Sequence, residues 1–108
     1  MNYREEYASK LTTAAQAVSV VKDGDWIDYG WCTGHPVALD QALAERMPQL
    51  TDIKVRGGVA LWAPAIFKID NPQDHFCWNS WHMDTLILAP VHPIWLICAA
   101  QPSTSSWK

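Results

Sequence analysis

Several features that would assign this chain of 108 residues to a class are scarce or missing. Basic residues give no excess, with 8 Lys and Arg against 11 Asp and Glu, so no nucleic-acid partner is expected. The three cysteines form no paired framework, which favours a reducing compartment. The charged stretch 1–7 lacks the apolar core of a secretory signal. We therefore expect a cytoplasmic protein.

Charged side chains are absent from 85–107, although they occur at ordinary density before that point. The stretch 86–100 is apolar, but two prolines and a histidine interrupt it. A membrane span needs about 20 apolar residues, so this segment predicts no membrane partner. It is either a buried pair of strands or sequence that was never selected to fold. The composition divides the chain into a segment of ordinary charge, 1–82, and an apolar, charge-free tail, 83–108.

Two amphipathic helices are predicted from the spacing of apolar residues in a chain that is 49% hydrophobic. The first has an apolar face formed by Leu11, Ala14, Ala15, Val18 and Val21. Thr13 and Gln16 offer a capping box at its start. The second begins with Pro36 at its first position, where a missing N–H group costs nothing. Its buried face is predicted to comprise Leu39, Ala42, Leu43 and Met47.

Three strands are predicted between and after these helices, at 26–30, 53–56 and 75–79. A short helix is expected at 63–68 and a turn at 71–74. Strands that alternate with helices indicate an α/β class, here a partial three-layer βαβ unit with a mostly parallel sheet. Large rings in the strand-like runs carry burial energy, so the core is predicted to include Trp26, Trp62 and Trp78.

A glycine-bounded loop, 30–36, joins the first strand to the second helix. Such a loop leaves backbone N–H groups pointing outward, which suits a carboxylate, a phosphate or a thioester oxygen. It is neither a dinucleotide fingerprint nor a phosphate-binding P-loop, because the required glycine and lysine positions are missing. The alternative interpretation is an ordinary tight connection between a strand and a helix.

Five short blocks follow one another in order along residues 1–82. They are Gly24-Asp25-Trp26, Asp28-Tyr29-Gly30-Trp31-Cys32-Thr33-Gly34, Pro36, Val55-Arg56-Gly57-Gly58 and Trp78-Asn79-Ser80-Trp81-His82. Together they resemble the acetyl-CoA hydrolase/transferase family of butyryl-CoA:acetate and 4-hydroxybutyrate CoA-transferases. The resemblance implies transfer of coenzyme A, as a substrate and without a metal, from an acyl-CoA to a small carboxylate such as acetate.

The resemblance also implies a ping-pong mechanism with a glutamate nucleophile. That carboxylate attacks the thioester to form an acyl-glutamyl anhydride, and coenzyme A then displaces the acyl group to give a glutamyl-CoA thioester. The family's glutamate lies downstream of the segment that matches here, so no catalytic nucleophile is assigned. The N-terminal half forms part of the active-site wall in this family. The residues expected to line the substrate site are Gly30, Gly34, Asn79, Ser80 and His82.

Two other functions remain open at this point. One is a non-catalytic module that binds coenzyme A or a carboxylate, or that completes a site on a partner subunit. The other is a thiol enzyme based on Cys32, which would act as a nucleophile near a helix N-terminus and near His35. A metal site is not predicted, because the spacing of histidines and cysteines matches no standard zinc pattern.

The resemblance ends at His82, where family members continue into a charged, polar stretch and this chain turns apolar. We therefore expect 83–108 to be an out-of-frame or otherwise aberrant tail on a truncated CoA-transferase. Strands that would pair with a missing C-terminal half leave open edges and exposed apolar surface. Association with that half, or with further copies as a homo-oligomer, is the expected consequence.

Overall fold

The computed structural model describes residues 2–80 and 82, which are built around a sheet of three parallel strands. The strands are β1, Trp26–Asp28, β2, Ile53–Arg56, and β3, Phe76–Asn79, and they lie side by side in that order. The predicted α/β class and parallel sheet are confirmed. Strand β2 has the predicted ends, whereas β1 and β3 are each shorter than predicted.

Helices of two kinds precede and connect the strands. The α-helices are α1, Tyr3–Lys10, α2, Ala14–Val18, and α3, Val37–Arg46. Short 3-10 helices span Cys32–Gly34, Met47–Gln49, Ala65–Lys68 and Pro72–Asp74. The last two correspond to the short helix and the turn that the sequence predicted in this part of the chain.

The first predicted helix is wrong in extent, although its start is confirmed. Helix α2 begins with the predicted capping box, in which the Thr13 hydroxyl accepts a hydrogen bond from the N–H of Gln16 at 3.2 Å. The helix ends at Val18, which is its one buried residue. Leu11, assigned to the apolar face, lies before this helix and is exposed. Because the cap at Thr13 starts a new helix, the apolar spacing that began at Leu11 ran across the gap between α1 and α2.

The predicted buried face of α3 is partly wrong. Pro36 is the N-cap, and the helix begins one residue later. Leu39 is 41% exposed, whereas the carboxylate-bearing Asp40 is only 3% exposed. Asp40, Leu43 and Met47 follow the spacing of three and four residues that keeps side chains on one helix face. The helix therefore buries a charged residue and leaves Leu39 partly exposed.

One face of the sheet forms the core of the described residues. Phe76 and Trp78 of β3 alternate with less buried neighbours and pack against the helices, as predicted for the burial of Trp78. The opposite face carries Trp26, which is 65% exposed. Trp62 is also exposed, so two of the three tryptophans predicted in the core lie at the surface. The described residues thus supply two layers of the predicted three-layer arrangement.

Parts of the predicted organisation lie outside the described residues. They include Trp81 of the fifth sequence block and the tail 83–108. Among the residues that the structure describes, every helix is too short or too polar to cross a bilayer.

Candidate functional site

The carboxyl ends of β1, β2 and β3 meet at one edge of the sheet because the three strands are parallel. In α/β proteins this edge is where ligands bind. The loop 30–36 follows β1, the pair Gly57 and Gly58 follows β2, and Ser80 and His82 follow β3. We refer to these segments together as the carboxyl edge. It includes Gly30, Gly34, Ser80 and His82 of the five residues predicted from the sequence, and the fifth, Asn79, is the last residue of β3.

Gly30 makes the sharp turn by which the chain leaves β1. Its φ angle is 68°, in the left-handed region that favours glycine. A Cβ atom at this position would also lie 3.1 Å from the carbonyl oxygen of Gly34. Gly34 differs, because a Cβ atom there would meet nothing within 4 Å. The fold therefore requires glycine at position 30 and leaves open space beside position 34.

Backbone N–H groups of the loop are used inside the chain, contrary to the prediction that they point outward. The N–H of Gly30 donates to the Asp28 carboxylate at 3.1 Å, and the N–H of Cys32 donates to the Val59 carbonyl at 2.9 Å. The N–H of Gly34 donates to the carbonyl of Trp31 at 2.7 Å. A 3-10 turn consumes donors that an open helix start would present. These three groups consequently do not form an anion cradle.

The second block of glycines allows two tryptophans to pack closely. A Cβ atom at Gly57 would lie 2.4 Å from the Trp78 ring, and one at Gly58 would lie 2.2 Å from the Trp31 ring. Trp31 also meets His82 edge to face, with ring centroids 5.4 Å apart. Trp31 therefore links the loop after β1 to the chain after β2 and β3.

The three polar site residues at the end of β3 and directly after it have different surroundings. The Asn79 amide nitrogen makes two long hydrogen bonds, to the Val55 carbonyl at 3.4 Å and to the Cys77 carbonyl at 3.3 Å. The Ser80 hydroxyl donates to the His82 carbonyl at 2.6 Å and accepts from the His82 N–H at 3.1 Å. The His82 residue is exposed. Its imidazole is thus accessible from solvent beside Trp31.

An ion pair lies on the open face of the sheet at the same edge. The Arg56 guanidinium donates from Nε at 2.9 Å and from Nη2 at 2.6 Å to one oxygen of Asp28. The N–H of Gly30 and the Arg56 side chain both stabilise the charged carboxylate, and they lower the pKa of Asp28 below its usual value. The pair is half exposed, so its contribution to stability is small.

A buried carboxylate network behind the loop was missed by the sequence analysis. Asp40 accepts hydrogen bonds from the Tyr29 hydroxyl at 2.9 Å and from the His35 Nε2 at 3.2 Å. It also accepts from the N–H groups of Ala65 at 2.6 Å and Ile66 at 3.3 Å. Burial and the neighbouring Asp40 charge raise the pKa of the Tyr29 phenol, which therefore remains a protonated donor.

The alternative based on a reactive thiol gains little from this geometry. Cys32 is exposed and has a φ angle of 49°, which is unusual for a residue with a side chain. The imidazole that was expected to assist it directs Nε2 toward Asp40. Within the described ranges, no group of three or more His, Cys, Asp and Glu side chains is arranged to hold a metal ion.

Comparison with known proteins identifies the family. A sequence model of the acetyl-CoA hydrolase/transferase N-terminal domain matches residues 1–90. This chain belongs to that family. The match places the loop 30–36, the pair Gly57 and Gly58, and the segment after β3 within the N-terminal domain of the acetyl-CoA hydrolase/transferases.

Two curated members of the acetyl-CoA hydrolase/transferase family are similar to the chain. A butyryl-CoA:acetate CoA-transferase of Anaerostipes caccae is 59% identical over 86 residues, which cover 80% of this chain and 19% of that protein. A probable butyrate:acetyl-CoA coenzyme A-transferase of Syntrophomonas wolfei is 42% identical over 79 residues, covering 73% of this chain and 18% of that protein. The chain thus spans about a fifth of the length of these relatives.

The fold is similar to that of a solved structure. RipA from Yersinia pestis superposes with a TM-score of 0.70 and 25% identity, over 83% of this chain and 22% of that chain. The arrangement of helices and parallel strands is therefore that of the N-terminal part of a much longer protein.

Proposed function

We propose that this chain forms the N-terminal wall of the active site of an acyl-CoA:carboxylate CoA-transferase. The substrates in this proposal are an acyl-CoA and a small carboxylate such as acetate, and coenzyme A takes part as a substrate. The observation that carries the proposal is the carboxyl edge, where Gly30, Ser80 and His82 lie at the same end of the sheet as Asn79, the last residue of β3. The family membership and the names of the curated relatives support the reaction class.

Each lining residue has a role that fits its surroundings. Gly34 lies beside open space that its own fold does not fill, so a thioester or carboxylate can approach the backbone there. The exposed His82 imidazole is a hydrogen-bond donor for a carbonyl or carboxylate oxygen. The Asn79 amide becomes a second donor when it exchanges one of its two long hydrogen bonds to the chain for the substrate oxygen. Ser80 fixes the backbone of His82 through its two hydrogen bonds.

The nucleophilic carboxylate in this proposal comes from outside the described residues. Glu5 and Glu6 lie on α1, which buries no residue. Glu45 lies eight residues after the start of α3, a distance of about 12 Å along the helix. Helix α3 begins at the carboxyl edge, so Glu45 is at its far end. We assign these three carboxylates no part in the transfer.

A chimeric enzyme tests the proposal. Residues 1–90 of this chain replace the matching segment of the Anaerostipes caccae transferase, and transfer of coenzyme A from butyryl-CoA to acetate is measured. The chimera is expected to retain transfer, and Asn79→Ala or His82→Ala is expected to lower kcat by about tenfold or more, as for other donors to a reacting oxygen. Gln73→Ala, an exposed amide on the Pro72–Asp74 turn, is the matched control.

The same series separates the alternatives. A folded chimera without transfer, or one in which Asn79→Ala and His82→Ala behave like Gln73→Ala, would contradict the proposal. Calorimetric binding of coenzyme A by the chain itself, combined with an inactive chimera, would favour the non-catalytic module. Loss of transfer in Cys32→Ala would instead favour the thiol enzyme.

A further inference from the structure

The Asp40 carboxylate makes contacts in three separate segments of the chain. Its two oxygens accept four hydrogen bonds, from Tyr29 at the end of β1, from His35 in the loop, and from the first two residues of the 3-10 helix Ala65–Lys68. An ionised carboxylate offers about four acceptor sites, so this buried group is fully satisfied. A buried charge that is fully hydrogen-bonded holds its partners in defined positions.

The His35 imidazole is fixed by this carboxylate and by two rings. Its side chain is 6% exposed and directs Nε2 to Asp40. Tyr29 and Trp62 meet the imidazole edge to face, with centroids 5.2 Å and 5.4 Å away. A carboxylate can only accept, so the proton of the neutral imidazole lies on Nε2.

The loop that contains His35 needs support from outside its own backbone. Gly30 and Cys32 both have positive φ angles, and for a residue with a side chain this conformation is unfavourable. The neighbouring support is the segment after β2, to which the Cys32 N–H is hydrogen-bonded through Val59. Asp40 joins the same two parts of the chain from behind, through His35 on one side and Ala65 on the other.

We infer that Asp40 is a positioning residue that, through His35, holds the loop 30–36 against the segment 59–65 and so sets the shape of the carboxyl edge. For catalysis the inference rests on the proposed function, because the loop lines that site. The geometric part, a carboxylate that fixes one histidine tautomer and one loop position, does not depend on any substrate.

Nuclear magnetic resonance of the full chain tests the geometric part. The 15N shifts of His35 report its tautomer, and amide exchange of Cys32 reports detachment of the loop, since this N–H does not itself contact Asp40. We expect Nε2 to be protonated in the parent chain. In Asp40→Asn and His35→Gln, exchange at Cys32 should accelerate about fivefold, as expected when one hydrogen bond that opposes local opening is lost.

Internal and matched controls separate loop release from unfolding. The Lys54 amide, bonded to the Asp25 carbonyl between β1 and β2, should exchange at the parent rate. Asp70→Asn, which alters an exposed carboxylate, should change the exchange rate of neither Cys32 nor Lys54. If Asp40→Asn does not fold, His35→Gln still tests the loop. Tyr29→Phe removes the hydrogen bond from the end of β1 to Asp40 and leaves the bond from His35 in place. The exchange rate at Cys32 should therefore stay within about twofold of the parent rate.

Two outcomes would overturn the inference: parent-like exchange at Cys32 in folded Asp40→Asn and His35→Gln, or an Nδ1-protonated His35 in the parent chain. Asp40→Asn in the chimeric enzyme then isolates the proposed function. Accelerated exchange with unchanged transfer would uphold the positioning role and contradict the lining role of the loop. Accelerated exchange with lower kcat would support both.

Discussion

At the scale of single residues, the glycines of the carboxyl edge differ in what a side chain would meet. Gly58 is covered by Trp31, and Gly30 combines a positive φ angle with a close backbone oxygen. Gly34 has neither constraint. The fold of the described residues therefore explains Gly30, Gly57 and Gly58, whereas our proposal explains Gly34 by the approach of a substrate.

Replacing Gly30 and Gly34 by alanine should separate these explanations. Gly30→Ala is expected to lower the free energy of unfolding by about 1–2 kcal/mol, the cost of a left-handed conformation with a side chain. Gly34→Ala should change it by less than about 0.5 kcal/mol, because the added methyl group enters open space. Urea unfolding of the two variants measures both values. Equal destabilisation would show that position 34 is constrained by the fold.

Tyr29 predicts a loss of stability in alkaline solution. Burial and the Asp40 charge raise the pKa of its phenol above the ordinary value of 10.0. As pH rises past 10.0, the unfolded state loses this proton while the folded state keeps it, so the free energy of unfolding falls. Tyr29→Phe lacks this contribution. We expect the difference in stability between the parent and Tyr29→Phe to be largest near pH 7 and to shrink between pH 9 and pH 11.

Urea unfolding of both proteins at several pH values measures this difference. The remaining tyrosines and lysines are common to the two chains, so their titration cancels in the comparison. A difference that stays constant up to pH 11 would mean that the phenol titrates equally in the folded and unfolded states. The hydrogen bond from Tyr29 to Asp40 would then have no preference for the protonated phenol.

At the scale of elements, the sequence predicts the helices and strands that bury apolar side chains and misses those that bury none. The alternation of Ile53, Lys54, Val55 and Arg56 gives both ends of β2. Helix α1 buries no residue, so it has no apolar face to detect, and an Asn2 cap and a Glu6–Lys10 ion pair stabilise it locally. Trp26 has the ring of a core residue, but it lies on the sheet face that the described helices leave open.

The candidate site likewise contains some residues that the sequence predicts and others that it misses. The glycine blocks and the polar residues after β3 follow from the resemblance, because they are local patterns of residue type. Asp40 was missed because the search for a helix face admitted only apolar residues and chose Leu39 instead. The signal was present in the spacing of Asp40, Leu43 and Met47, which is helical if a charged residue is allowed on the buried face. Partners as distant as Ala65 cannot be read from local spacing.

At the scale of the whole molecule, the sheet is parallel, but the described helices cover only one of its two faces. Parallel sheets are generally covered on both faces. The described helices cover the face of Val55 and Trp78, whereas Trp26, Asp28 and Arg56 occupy the other face and are exposed. An exposed indole beside a sheet edge favours association with another surface. In the relatives, about four-fifths of the chain lies outside the matched segment and is available to provide such a surface.

Self-association of the chain should therefore depend on Trp26. Trp26→Ser removes the largest apolar side chain from the open face without touching the core, so the concentration-dependent mass in sedimentation velocity should decrease. Tyr7→Ser is the matched control, because Tyr7 is equally exposed but lies on α1, away from the sheet. A parent-like mass in Trp26→Ser, or an equal decrease in Tyr7→Ser, would show that the open face does not drive association. A decrease confined to Trp26→Ser would identify the open face as the surface through which copies of the chain associate.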